Sequence, residues 1–303
     1  MSVARLGIAG VGLIGGSIAL RARAARAHVI GFDRDAETLS RALARGVIDA
    51  SAPDLESLAG ECETLIVALP VDATGAALER LAGRSGPALV IDVASVKLPL
   101  VLRGARVANY LGTHPMAGRE QGGIDAADAG LFENATWAYM PHHDAELILR
   151  TRSFIAAMGA LPLEIDPVRH DAIVALTSHL PQALSVVLGA ALAVAADHDR
   201  RVMDLCGPGM MSMLRLARSP EATWLPIVTA NAAPLAERLR SVARALDSAA
   251  AALEAGDSAP LMSYFGVAHR AAVVLEERFP PAPRSSAYPR PQSIANPIPP
   301  PAR

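Results

Sequence analysis

Short apolar runs separated by amphipathic stretches fill the first half of the chain. Val3 to Ala9, His28 to Phe32, Thr64 to Leu69 and Ala88 to Val93 read as buried strands, with Val107 to Gly112 and Thr136 to Met140 as further ones. Between them, Leu13 to Arg26, Ala36 to Arg45, Ala73 to Leu81 and a short segment from Leu98 to Arg103 carry helical spacing. This alternation predicts an α/β domain built on a parallel sheet with helices over both faces. After Ile165 the strand signals stop. From His170 to about Arg278 the chain is rich in Ala, Leu and Met at helical period, which predicts a second, all-helical domain. Residues 280 to 303 hold nine prolines and no apolar periodicity, the composition of a disordered tail. The expected boundaries are therefore 1–166, 167–279 and 280–303.

Composition narrows the function classes. Half of the 303 residues are hydrophobic, enough for a sizeable core, and a formal charge of −2 argues against a nucleic-acid or acidic-membrane partner. Cys62 and Cys206 are far apart and fit neither a disulfide framework nor a metal site, so a reducing, cytoplasmic setting and no metal are expected. The uncharged run Ala172 to Ala196 is long enough to span a bilayer, but it carries His179, Pro181 and Gln182 near its middle. We read it as a helix buried in a homodimeric core, with no membrane partner.

The first chemistry lies in AGVGLIGGS, residues 9–17. Gly10, Gly12 and Gly15 form a G-x-G-x-x-G turn that follows a strand and opens a helix, with Asp33 closing the second strand 23 residues after Gly10. In such a turn the first glycine permits the bend, the second lets a pyrophosphate approach the backbone, and the third allows close packing. The helix N-terminus supplies N–H donors, and the acid accepts from the adenosine ribose hydroxyls. This predicts a Rossmann-type dinucleotide-binding domain over residues 1–166. A carboxylate at Asp33 repels a 2′-phosphate, so NAD is expected; Arg34 and Arg23 keep NADP possible.

A nicotinamide on such a sheet projects beyond the carboxyl ends of the later strands. DVASVK at 92–97 and GTHP at 112–115 are two such ends, delivering Ser95 and His114. Together they could hold one substrate hydroxyl, the histidine taking its proton as hydride leaves the same carbon.

With these segments the chain resembles the prephenate and arogenate dehydrogenases of tyrosine biosynthesis. The matching stretches are GVGLIGGSIA, DVASVK, THPMAGREQGG, LFENATWAYMP, LTSHLPQAL and LRLARSPEATW, spread from about residue 5 to residue 240. The resemblance implies an oxidative decarboxylation: hydride passes from C4 of a cyclohexadiene to NAD, the ring carboxylate leaves as CO2, and the ring becomes aromatic. It assigns His114 to the C4 hydroxyl, Ser95 to orienting that histidine, and Arg215 to a substrate carboxylate. A guanidinium fork suits that last role. His179 and Gln182, in SHLPQ, become candidate substrate contacts; Trp224 becomes a candidate wall and Arg119 a second candidate carboxylate contact.

One departure bears on specificity. The prephenate-preferring pattern often reads SHLPH, and Gln182 stands where the second histidine would. An amide carbonyl can accept from the ammonium of arogenate, which a protonated imidazole would repel. Two other readings compete: a reductase of the β-hydroxyacid dehydrogenase or imine reductase type, and a non-catalytic dinucleotide-sensing module. The absence of any lysine after Lys97 disfavours a lysine-based reductase, and the set Ser95, His114 and Arg215 disfavours the sensor.

Overall fold

A computed structural model describes residues 4–119 and 121–279. The expected disordered tail at 280–303 lies outside the described residues. An eight-stranded sheet has the order β3-β2-β1-β4-β5-β6-β7-β8. Its strands are β1 (Arg5–Ala9), β2 (His28–Phe32), β3 (Ala50–Ser51), β4 (Thr64–Val67), β5 (Leu89–Asp92), β6 (Tyr110–Pro115), β7 (Thr136–Tyr139) and β8 (Leu161–Glu164). Around them run α1 (Leu13–Ala24), α2 (Ala36–Ala44), α3 (Leu55–Glu61), α4 (Val71–Leu81), α5 (Leu98–Gly104) and α6 (Ala145–Ala157).

The central strands are apolar except at their ends (Arg5, Thr64, Asp92), because both of their faces are covered. Leu6, Ile8, Ile66, Leu89 and Ile91 join one core, while Ala9, Leu65, Val67 and Val90 join the other. Alternate residues of one strand thus feed opposite layers. Four aspartates start helices: Asp35, Asp54, Asp144 and Asp166 each accept from main-chain N–H groups of the first turn. Each such cap is worth about 1 kcal/mol.

Two expectations need correction. The sheet is not wholly parallel, since β7 runs antiparallel to β6. Between those strands the described chain forms only a single 3-10 turn, Ile124–Ala126, and no crossover helix that would return it for parallel pairing. Strand β6 also extends past Gly112 through His114 and Pro115, because Thr113, His114 and Pro115 pair with Tyr139, Ala138 and Trp137. A proline is tolerated at such a strand end, where no ladder N–H is required. The reading also passed over β3, α3, α6 and β8.

The helical segment begins with α7 (Pro167–Val174), a π-turn (Ala175–His179) and α8 (Leu180–His198). The turn widens just before Pro181, which has no N–H to give and whose ring crowds the carbonyl four residues earlier. Then follow α9 (Arg201–Asp204), α10 (Pro208–Met213), a 3-10 turn (Leu216–Arg218), α11 (Glu221–Ala230), α12 (Ala232–Glu254) and α13 (Ala259–Arg278). The helical run Pro167–His198 has the length and composition to cross a membrane, and 22% of its most apolar window is buried within the chain. Two compact units are recognisable, Met1–Ser241 and Val242–Arg303. In the described part of the second, Leu246, Leu253, Met262, Phe265 and Val274 are exposed.

Candidate active site

The glycine turn has the shape its spacing predicts. Gly10 has φ +92°, and a Cβ there would lie 2.3 Å from the Ala68 carbonyl oxygen. A Cβ on Gly15 would lie 2.0 Å from the Gly10 oxygen, so both positions are closed to larger residues. Gly12 differs: a Cβ there would meet nothing within 4 Å. Its smallness serves no packing need, which leaves open space where a phosphate would approach. Neither a capping side chain nor an acidic residue occupies the first turn of α1, so nothing there opposes an anion. Asp33 is anchored above the turn, its Oδ2 accepting from Val11 N at 2.9 Å and its Oδ1 from Asp35 N at 3.0 Å. Each oxygen keeps capacity for a ribose hydroxyl.

A cleft of about 550 Å³ opens at the carboxyl ends of β1 and β4, on either side of which the strand order reverses. Gly12, Arg34, Ser95, Arg119 and Trp224 line it. Arg119 pairs with Asp128, and Arg23 with Asp49 at 2.7 Å. Arg34 alone of the two arginines weighed for NADP therefore lines the cleft. Ser95, half-buried in the loop after β5, makes no hydrogen bond to His114 among the described residues.

His114 is buried on β6, its Nδ1 3.0 Å from Nε2 of His170. His170 Nδ1 in turn lies 2.7 Å from Oδ1 of Asp171. The Asp171 carboxylate also accepts from Lys97 N and Leu98 N, both at 2.8 Å. Burial first, then the neighbouring His170, Lys97 and His179, hold the His114 imidazole well below its ordinary pKa. Below it Lys97 is fully buried, bonded to Asp92 and to the Thr113 carbonyl, the latter at 2.6 Å. Burial lowers the pKa of that ammonium while Asp92 and Asp171 oppose the shift. Tyr110 donates to Asp92 at 2.7 Å, and Trp137 Nε1 donates to Thr113 Oγ1 at 2.9 Å. These bonds fix the ends of β5 and β6, and with them the position of His114. Removing either partner of the buried Lys97–Asp92 pair should cost about 3–5 kcal/mol.

His179 is buried at the end of the π-turn, edge-on to Trp224 with centroids 6.2 Å apart. Its Nδ1 lies 3.0 Å from Nδ2 of Asn231, which also donates to the Asp171 carbonyl at 2.8 Å. Burial draws the His179 pKa down to about 4. Gln182 is buried, donating through Nε2 to the Leu216 carbonyl at 2.9 Å. Its Oε1 is the one buried side-chain oxygen without a partner among the described residues. Arg215 immediately precedes Leu216 and is exposed, as is Arg218. Neither lines the cleft, although Ser219 and Pro220 do.

Residues 17–161 match the family model described as prephenate dehydrogenase, nucleotide-binding domain, and residues 166–267 match prephenate dehydrogenase, dimerization domain. The prephenate dehydrogenase of Bacillus subtilis (strain 168) is 32% identical over 275 residues, covering 86% of this chain and 73% of that protein. The chain belongs to the prephenate dehydrogenase family. In fold it is similar to prephenate dehydrogenase from Aquifex aeolicus, solved in complex with hydroxyphenyl propionate and NAD+. That likeness has a TM-score of 0.83 at 22% identity, over 91% of this chain and 99% of that one. Synechocystis arogenate dehydrogenase gives a TM-score of 0.75 at 27% identity, over 89% and 99%.

Three residues of this family member escaped the sequence reading: His170, Asp171 and Asn231. A histidine beside an aspartate at the start of an apolar helix was the available signal for the first two. Nothing in the sequence places Asn231, 60 positions beyond Asp171, against that residue's carbonyl.

Proposed function

We propose that the protein catalyses the NAD-dependent oxidative decarboxylation of prephenate, of arogenate, or of both, as a cytoplasmic homodimer. One observation carries the reading: a buried imidazole, hydrogen-bonded from behind by His170, stands on the strand after the loop that delivers Ser95 to a cleft starting at the glycine turn. In this reading residues 1–166 bind the dinucleotide and residues 167–279 supply substrate contacts and the subunit interface.

The turn fits NAD, with Gly12 open toward the pyrophosphate, the uncapped start of α1 facing it and Asp33 free to accept from the ribose. When bound, NAD supplies the acceptor for the hydride leaving C4 of the substrate. Asp33 disfavours a 2′-phosphate by charge, and Arg34 is the residue that could offset it.

His114 takes the proton of the C4 hydroxyl at Nε2, breaking the O–H bond as the carbon is oxidised to a ketone. The ring carboxylate then leaves as CO2, and its bonding electrons run through the ring to that oxygen. The resulting phenolate recovers the proton from His114, so no proton is gained or lost. Arg215 holds a substrate carboxylate, Ser95 orients the hydroxyl against His114, and His179 donates to the substrate. Gln182 offers its orphan Oε1 to the ammonium of arogenate, an acceptor that prephenate's keto group does not need.

The dimer rests on the exposed apolar side chains of the helical segment. Val186, Val187 and Val194 of α8 face solvent in the single chain, as do Met262, Phe265 and Val274 of α13. A partner subunit would cover such surfaces. NADH formation with each substrate and each of NAD and NADP tests the catalytic reading. Turnover of prephenate or arogenate with NAD is expected; turnover of neither would overturn it.

A further inference from the structure

The hydrogen bonds behind the two buried histidines run in opposite senses. Both oxygens of the Asp171 carboxylate act as acceptors, Oδ1 from Lys97 N and Oδ2 from Leu98 N. The proton in its 2.7 Å bond to His170 therefore sits on His170 Nδ1. A singly protonated His170 then presents only a lone pair at Nε2, so the proton in the 3.0 Å bond to His114 belongs to His114 Nδ1. That leaves the Nε2 of His114 bare.

The second chain starts from the same residue and ends the other way. The main-chain carbonyl of Asp171 can only accept, which fixes the amide of Asn231 with its NH2 toward it. The other hydrogen of that NH2 points at His179 Nδ1, 3.0 Å away. His179 must therefore accept at Nδ1 and, being neutral, carry its proton at Nε2.

We infer that Asp171 sets the two histidines in opposite tautomers, through His170 on one side and Asn231 on the other, making His114 an acceptor and His179 a donor at Nε2. The inference rests on the reading of His114 as the base. It gives His170, Asp171 and Asn231 the role of positioning residues. A base must offer a lone pair to the C4 hydroxyl, and a neighbour that donates can hold a carbonyl or carboxylate oxygen of the same substrate. When His114 takes the proton at Nε2, the charge it gains is met through His170 by the Asp171 carboxylate, so no further proton need leave the site. The arrangement has the logic of a carboxylate–imidazole pair that orients a base, with one more imidazole inserted.

The test is the tautomeric state of the histidines in the full-length, ligand-free protein. Two-bond 15N–1H correlation spectra of 15N-histidine-labelled enzyme near pH 7 separate the two forms, with His114→Asn and His179→Asn used to assign the signals among the eight histidines. The expected result is Nδ1–H for His114 and Nε2–H for His179. His170→Ala should remove the preference at His114 only, and Asn231→Ala the preference at His179 only. His170→Ala should also lower kcat about 10²–10⁴-fold with KM little changed. His170→Gln serves if the alanine variant does not fold, and the wild-type spectrum decides without either. An Nε2–H form of His114, or the same tautomer at both residues, would overturn the inference. Lack of turnover with prephenate and arogenate would defeat the proposed function but leave the tautomer result standing.

Discussion

The sheet and the helical segment bury their apolar residues in different ways. In the central strands both faces are closed within one chain, and Leu6, Ile8, Leu65, Ile66 and Ile91 are fully buried. In α8, of comparable hydrophobicity, Leu180, Gln182 and Ser185 are buried while Val186, Val187 and Val194 stay exposed. The difference separates two uses of apolar sequence. The sheet completes its own core and can hold a nucleotide turn rigidly; the helices stop short of a core and present a surface that a second copy can finish. The candidate site joins both kinds of element, since His114 comes from a strand, the His170 and Asp171 behind it come from α7, and Asn231, which bonds His179, lies between α11 and α12.

The largest effect should come from the sheet side. Replacing His114 with Asn should lower kcat about 10²–10⁴-fold while NAD affinity, measured by fluorescence titration, stays nearly unchanged. Near-normal turnover by a folded variant would remove His114 from the chemistry.

On the helical side, Val187→Glu should break the assembly rather than the fold. Two carboxylates buried unpaired at a symmetric interface should weaken dimerisation by on the order of 10²–10⁴-fold. Sedimentation would register monomers, with the sheet's far-ultraviolet signal retained; an unaltered dimer would place the interface elsewhere.

Acid should strain the same junction. The folded-state pKa values of His114 and His179 lie below the unfolded value, that of His179 at about 4. Below about pH 6.5 the unfolded chain therefore binds more protons than the folded one. Stability is complete above that pH and falls toward pH 4, by up to about 1.4 kcal/mol per pH unit for each histidine. The groups facing His114 are His170, Lys97 and His179, and those affecting His179 are Asp171 and His170. Urea melts from pH 7 to pH 4.5 measure this slope, and His179→Asn should flatten it.

The glycine turn offers a finer contrast. Gly12→Ala should keep the fold and weaken NAD binding about tenfold to a hundredfold, because its Cβ would occupy only the space left for phosphate. Gly15→Ala should instead destabilise the protein, since its Cβ would overlap the Gly10 oxygen. Equal effects on stability would mean that both glycines serve packing alone.

The smallest effect concerns substrate choice. Gln182→His should tilt kcat/KM toward prephenate by about 1–2 kcal/mol where the imidazole is protonated, and the tilt should fade as pH rises. A ratio that does not move at any pH would confine Gln182 to its bond with the Leu216 carbonyl.

What the sequence made legible follows from where the signals are local. The glycine turn, Asp33 and the central strands are written in consecutive residues, and the structure reproduces them. The missed elements had weaker marks. β3 has two residues, and β8 reads LPLE, an exposed edge strand holding Pro162. Helix α6 was recoverable, since Asp144 caps it and Leu147, Thr151, Phe154 and Ile155 form its buried stripe. The antiparallel turn at β7 depends on a connection without a crossover helix, which no periodicity announces. Site residues divide in the same way. Motifs pointed to Ser95 and His114, whereas the network centred on the neighbours His170 and Asp171 gathers Lys97 and Asn231 from distant parts of the chain.

The most direct test of the central claim is the ratio of products. Purified enzyme given NAD and prephenate labelled in the ring carboxylate, at neutral pH, should release one labelled CO2 for each NADH formed, with 4-hydroxyphenylpyruvate as the remaining product. NADH without labelled CO2, or no NADH from prephenate or from arogenate treated likewise, would contradict an oxidative decarboxylation at this site.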